Sequence, residues 1–151
     1  MSLPMILWPG EGKSVQIGTK TTCTFKVTGK DTQGHFGLFE YTMAPSAEGA
    51  RPHIQKRLVE MFYVADGEIG LLLEQRKVLA PPGTFMLVPE NTPHGFSNPG
   101  QKQSRLLIMF CSADSREKYF EGLTELTKGG RAPTQQEPHR VDAAVRPIFG
   151  S

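Results

Sequence analysis

Residues 21–28 alternate in character. Thr22, Thr24, Lys26 and Thr28 fall on one side of an extended chain, and Cys23, Phe25 and Val27 on the other. That period of two predicts a half-buried strand. The Gly-, Lys- and Asp-rich stretch 29–34 breaks the pattern as a turn, and an aromatic-rich strand is expected over 35–43. A further strand over 58–64 runs into Asp66-Gly67, a hairpin signal, with its partner over 68–74. Gln75-Arg76-Lys77 turns the chain, Pro81-Pro82-Gly83 turns it again, and the short apolar run 84–88 stops at Pro89. The continuous apolar run 106–111 predicts a buried strand. Short strands at such regular spacing indicate an all-β sandwich or barrel.

From about residue 112 the period becomes helical. Residues 114–128 carry Asp114 and Glu117 as a capping-box-like start, Tyr119, Phe120, Leu123 and Leu126 on one side, and Gly129-Gly130 as a stop. A shorter helix is expected over about 137–146. The expected organisation is an N-terminal extension or arm (1–20), a β-barrel (21–111) and C-terminal helices packing on it (112–151).

A chain of 151 residues is long enough to bury a core without disulfide staples. The formal net charge is +2, with acids and bases interspersed. That excludes the concentrated basic stripe a nucleic-acid partner requires. Cys23 and Cys111 are far apart in sequence; a bridge is conceivable, but two free thiols in a reducing compartment are the expectation. The apolar start, residues 1–7, is interrupted by Pro4 and has no basic residues before it, unlike a secretory signal. No stretch approaches the length of a transmembrane helix. A cytoplasmic protein with no membrane partner is therefore expected.

The chemistry concentrates in His53, Gln55, Glu60 and His94. In a strand His53 and Gln55 project together while Ile54 points away. Glu60 opens the next strand, and His94 follows the turn at residues 89–93. Two imidazoles and a carboxylate match the 2-His-1-carboxylate set that leaves metal positions open. Glu60 lies amid Val59, Met61 and Phe62, where a carboxylate is costly to bury unless paired or coordinated. Without a metal, its pKa is expected to rise by desolvation. His35 belongs to no such pattern and is assigned a structural role.

These residues sit in two motifs that resemble those of the cupins. The first cupin motif runs G, five residues, H-x-H, three or four residues, E, six residues, G. Gly49, His53, Glu60 and Gly67 resemble it, with Gln55 at the second histidine and two fewer residues between Gly49 and His53. The second runs G, five residues, P-x-G-x-x-H, three residues, N. Gly83, Pro89, His94 and Asn98 match it in register, with Asn91 at the inner glycine. Asn tolerates left-handed backbone nearly as glycine does.

The resemblance implies a cupin (double-stranded β-helix, jelly-roll) barrel with a short C-terminal helical extension. It is narrowest to small quercetin-dioxygenase-like members. It further implies a divalent transition metal (Fe, Mn, Ni, Co, Cu or Zn), Glu60 as a catalytic base, a small-molecule substrate and a homodimer. Gln55 is open to three roles: a fourth ligand, a partner of metal-bound water, or the mark of a site that has lost its metal. An apolar wall of Phe39, Phe62, Leu71, Leu87 and Phe96 would suit a small aromatic or enol-type substrate. Three functions follow: a metal-dependent dioxygenase, a non-enzymatic small-molecule-binding sensor or storage protein, or a metal-dependent isomerase or lyase on the same ligand set.

Overall fold

The structure, a computed structural model, describes residues 3–113, 116–130 and 145–147. Ten strands precede the helix: β1 Lys13–Ile17, β2 Thr21–Val27, β3 Gly37–Met43, β4 Ala47–Gln55, β5 Val59–Asp66, β6 Ile69–Leu73, β7 Arg76–Ala80, β8 Phe85–Val88, β9 His94–Asn98 and β10 Ser104–Cys111. Helix α1 is Arg116–Leu126, and a last strand, β11, is Val145–Pro147. The strands form two antiparallel sheets, ordered β1-β2-β3-β10-β5-β8 and β11-β4-β9-β6-β7. Both contribute to one core: Phe39, Phe62, Leu106 and Ile108 from the first, Ile69, Leu71 and Phe96 from the second. This is the expected jelly-roll barrel with a short C-terminal helix.

Alternation along β3 and β10 is regular: Phe39, Tyr41 and Met43 face in, as do Leu106, Ile108 and Phe110. The turn at Asp66-Gly67, with Gly67 at φ 66°, leads from β5 to β6 but is not the hairpin expected there: β5 pairs with β10 and β8 in the first sheet, β6 with β7 and β9 in the second, so the chain crosses between sheets. Three further elements differ from expectation. The stretch 1–20 contains β1, which pairs with β2 through five residues, Lys13↔Phe25 to Ile17↔Thr21. Arg76 and Lys77 belong to strand β7 and not to a turn; the chain reverses at Glu74-Gln75, with Glu74 at φ 55°. The polar start of β7 hid it, because an edge strand facing solvent need not alternate. The second helix, expected over 137–146, lies mostly outside the described residues, but Val145 and Arg146 at its end are strand, paired with Gln55 and Ile54 of β4.

Helix α1 seals the core. Its stripe predicted from sequence is the one that packs, with Phe120 and Leu123 buried and Tyr119 and Leu126 partly so. The Phe120 ring lies 4.7 Å from that of Phe39, 5.7 Å from Tyr41, 5.9 Å from Phe110 and 6.3 Å from Phe25. Full burial of one such ring stabilises by about 1.5–3 kcal/mol. The helix ends at Leu126, and Gly129 and Gly130, both at positive φ, follow in a short 3-10 turn; Asp114, its expected cap, lies outside the described residues. Cys23 and Cys111 are free thiols.

Candidate metal centre

The second sheet places the histidines. In the β4–β9 pairing Ala47 faces Asn98, Ala50 faces Phe96 and His53 faces His94, so β4 carries an extra residue in each interval. Two bulges bend the strand. One contains Gly49, at φ 63°; a Cβ there would lie 2.2 Å from the carbonyl oxygen of Phe96. No other residue fits that approach. Asn91, in the second motif, sits at φ 60°, the left-handed backbone expected of it. Its N–H donates to the carbonyl of Gln55 (2.7 Å), tying the end of β4 to the turn before His94.

The two imidazoles are cross-strand neighbours, ring centroids 4.3 Å apart and planes tilted by 52°. His53 Nδ1 is 2.7 Å from the Arg51 carbonyl, and His94 Nδ1 is 2.9 Å from that of Thr92. A carbonyl only accepts, so each Nδ1 donates its N–H, and Nε2 is the nitrogen available to a ligand. Glu60, at the start of β5 in the opposite sheet, is 3% exposed, and its Oε2 lies 3.2 Å from His94 Nε2. One ligand atom from each of His53, Glu60 and His94 falls within 4.8 Å of the others.

Charge in this cluster is shared. Burial acts to raise the Glu60 pKa, but the hydrogen bond from His94 and the positive groups around it outweigh burial and hold the carboxyl below its ordinary value. This corrects the expectation of a raised Glu60: desolvation is present, and pairing overrides it. Burial acts to lower the His94 pKa, and the Glu60 hydrogen bond and charge raise it in net. Burial, then the neighbouring His94, push His53 down to about 4.

The residues fit a divalent metal on three counts. The donor set is two imidazoles and a carboxylate. The proton between His94 Nε2 and Glu60 occupies a position a cation can replace. Glu60 Oε1, in the cluster, is buried without a hydrogen-bond partner among the described residues, as is Gln55 Oε1 two residues along the strand from His53, and unpartnered buried acceptors are rare.

The other expected positions divide. Phe62 lies beside His94, ring centroids 5.8 Å apart, and Phe96 beside Phe62 at 5.7 Å. Phe39 is fully buried under α1, and Leu71 lies in the core. Leu87 is 50% exposed; in β8 it is Met86 and Val88 that point inward, so Leu87 is outside the wall expected of it. Glu40 lies on the outer face, 3.6 Å from Arg105, and His35 is exposed. A groove of about 590 Å³ lies on the outer side of the second sheet, between Leu72, Lys77 and Leu79, and none of the three clustered residues lines it. Sequence reasoning did not single out Phe110, the cross-strand neighbour of Glu60, or Arg116, whose charge acts on His53 and Glu60. Arg116 could have been found: it stands at the head of the Phe120-Leu123 stripe, a charge on a face that must be buried.

A jelly-roll barrel with two histidines and a glutamate converging inside defines the class. Residues 39–110 match the family described as Cupin domain, and the barrel is that of a small cupin-type protein. Quercetin 2,3-dioxygenase of Bacillus subtilis (strain 168) is 22% identical over 147 residues; the match takes in 97% of this chain and 42% of that protein. The chain thus spans about two-fifths of the length of that relative. Among solved structures, KdgF from Halomonas sp. superposes with a TM-score of 0.67 at 16% identity, covering 76% of this chain and 99% of its own. The polyketide cyclase RemF from Streptomyces resistomycificus gives 0.66 at 20% identity, covering 99% and 88%. A predicted oxalate decarboxylase from Thermotoga maritima gives 0.66 at 13%, covering 72% and 99%. At these identities the solved structures share the fold.

Proposed function

We propose that this protein is a metal-dependent enzyme of small aromatic or enol-type substrates, a dioxygenase in the manner of the quercetin 2,3-dioxygenase it resembles. The observation that carries the reading is the convergence of His53, Glu60 and His94, in which Glu60 Oε1 is buried without a hydrogen-bond partner among the described residues. His53, His94 and Glu60 would hold the metal, with Gln55 as a neutral fourth oxygen donor. When bound there, a divalent transition metal supplies Lewis acidity and open coordination positions.

The protein's own groups do the rest. The Arg51 and Thr92 carbonyls fix both imidazoles with Nε2 inward. Glu60, ionised at neutral pH because its pKa is lowered, has Oε1 to accept the proton of a substrate hydroxyl. Phe62 and Phe96 offer an aromatic wall next to His94 and exclude water. Exposed Leu3, Ile6 and Trp8 support a further proposal, that two copies associate.

The test has two stages. Protein purified without chelator should contain close to one equivalent of a transition metal, and His94→Ala should lose it. Less than about a tenth of an equivalent, with none regained on soaking, would sink the reading. Oxygen consumption with a panel of flavonols and smaller enols should then depend on that metal and fail in Glu60→Gln. Ligand binding without turnover across the panel would favour the non-enzymatic small-molecule-binding alternative, for which the neutral Gln55 at a histidine position is the supporting feature.

A further inference from the structure

The end of β4 that carries His53 has a neighbouring strand on each side. On one side lies β9, and the hold there is thin. Over the nine residues of β4 the ladder to β9 registers at Ala47↔Asn98, Ala50↔Phe96 and His53↔His94, with an irregularity in each interval. Beyond the second irregularity it gives His53↔His94, supported by the bond from the Asn91 N–H to the Gln55 carbonyl. On the other side lies β11, from the far end of the chain. Val145 faces Gln55, Arg146 faces Ile54 and Pro147 faces His53, without a break in register. The stretch that β11 covers is therefore His53, Gln55 and the residue between them.

The backbone shows which bonds this pairing makes. Successive residues of a strand turn their N–H and C=O groups toward opposite neighbours. The Gln55 carbonyl points to the turn that leads into β9, where Asn91 donates to it at 2.7 Å. His53, two residues back, turns its backbone groups the same way, toward His94. Ile54 thus turns toward β11, and Ile54 and Arg146 are the pair that exchanges both ladder bonds. Pro147 has no N–H, and it stands opposite His53, where none is called for. Without β11, strand β4 would be the edge of the second sheet, with the Ile54 groups unpaired beside the metal centre.

The His53 ring is tied to its own strand, Nδ1 to the Arg51 carbonyl, so it goes where β4 goes. Glu60 and His94 stand on β5 and β9. Metal–nitrogen bonds of about 2.0–2.1 Å leave little room for a strand that drifts. We propose that β11 is a backbone clamp for the metal centre: its docking on β4 holds His53 against Glu60 and His94, and metal binding in turn locks β11 in place. The proposal rests on the functional reading above, which puts a metal at these residues. Two events coupled in this way strengthen each other by one common factor.

The test uses the full chain and two substitutions at one position. Arg146→Pro removes the N–H that pairs with Ile54, and Arg146→Ala keeps it. Zn²⁺ affinity is measured by competition with a chromogenic chelator. Amide exchange is followed residue by residue, with Zn²⁺ and in chelator. Arg146→Pro should bind Zn²⁺ roughly ten-fold more weakly than wild type, and Arg146→Ala within about two-fold of it. In wild type, Zn²⁺ should slow exchange at the Arg146 amide by a factor of the same order. A strand with a purely structural role would move neither reading. An affinity unchanged in Arg146→Pro, or lowered equally in Arg146→Ala, would overturn the proposal, and so would an Arg146 amide indifferent to Zn²⁺. If Arg146→Pro does not fold, the exchange comparison in wild type decides alone. A wild-type chain that takes up no Zn²⁺ defeats the proposed function, and exchange in chelator then still decides the role of β11. There Arg146→Pro should strip protection from the Ile54 amide and leave the β9 amides protected; an unchanged Ile54 amide would be equally fatal.

Discussion

His53 and His94 are the same residue type, one strand apart, yet their proton affinities are driven in opposite directions. His94 faces Glu60 and gains a proton; His53 faces His94 and is pushed down to about 4 from an ordinary 6.5. The signs fix a pH dependence for protein held in chelator. A histidine whose folded pKa lies below its unfolded value resists the proton that the unfolded chain accepts, so its stabilising share is full above about pH 6.5 and is lost as pH falls toward 4. The Glu60–His94 pair runs differently: the carboxylate's share is lost below its ordinary pKa of 4.5, and the histidine's is lost as pH rises through its raised folded pKa. Urea unfolding should therefore weaken between pH 6.5 and 4, and His53→Gln should flatten that part of the profile. An unchanged slope in His53→Gln would show that another group titrates. Gln55 gives a second prediction at this scale. Its Oε1 is buried without a partner, two residues from His53 on the same strand. Gln55→His should tighten divalent-metal binding by about ten-fold or more, since imidazole nitrogen is the stronger donor. An unchanged dissociation constant by competition titration would mean that the side chain points elsewhere.

At the scale of elements, the two motifs are as much backbone devices as ligand sets. Gly49 permits the bulge that returns β4 to register opposite His94. Asn98, four residues past His94, is 1% exposed and carries no site chemistry. Its Nδ2 donates toward the carbonyls of Met43, Ala44 and Lys102, and its Oδ1 accepts from the Gly100 N–H. One side chain thus joins the ends of β3 and β9 to the turn before β10. Asn98→Ala leaves these backbone groups unpaired and should cost about 2–4 kcal/mol in chemical denaturation. Because the latch lies at the far end of β9, metal content of the folded fraction should stay near that of wild type.

At the scale of the whole molecule, apolar surface remains to be covered. Leu3, Ile6 and Trp8 are 81%, 79% and 67% exposed, and Phe85 and Leu87 of edge strand β8 form an exposed set with Tyr63 of β5, the cross-strand partner of Phe85. Long apolar side chains gathered this way mark association surfaces. The proposed homodimer predicts twice the chain mass by light scattering, and removal of residues 1–10 should shift the population toward monomer. A monomer at all concentrations in the intact chain would refute it.

Much of this protein was legible along the chain. Alternation in β2, the turn at Asp66-Gly67 and the stripe of α1 follow from local sterics and burial, so the all-β architecture with a closing helix was open to the sequence, whereas the pairing of the strands on either side of that turn was not. The spacing of His53, Glu60 and His94 within two motifs likewise marked the ligand set. Local pattern failed where a strand has a solvated side, as in β7, or where pairing lies far away, as for β1. It also failed where the answer depends on which groups meet. Desolvation alone would have raised the Glu60 pKa, and a contact with a histidine 34 residues away reverses it. Leu87 shared the composition of a pocket wall, and the pleat turned it outward. Arg116 was one more charge near a helix start until the fold set it between Phe110 and Tyr119. The sequence by itself determined which side chains are available and what each can do chemically. The tertiary structure decided which of them share a dielectric, a proton and a cavity, because those are properties of distance across the barrel and not of order along the chain.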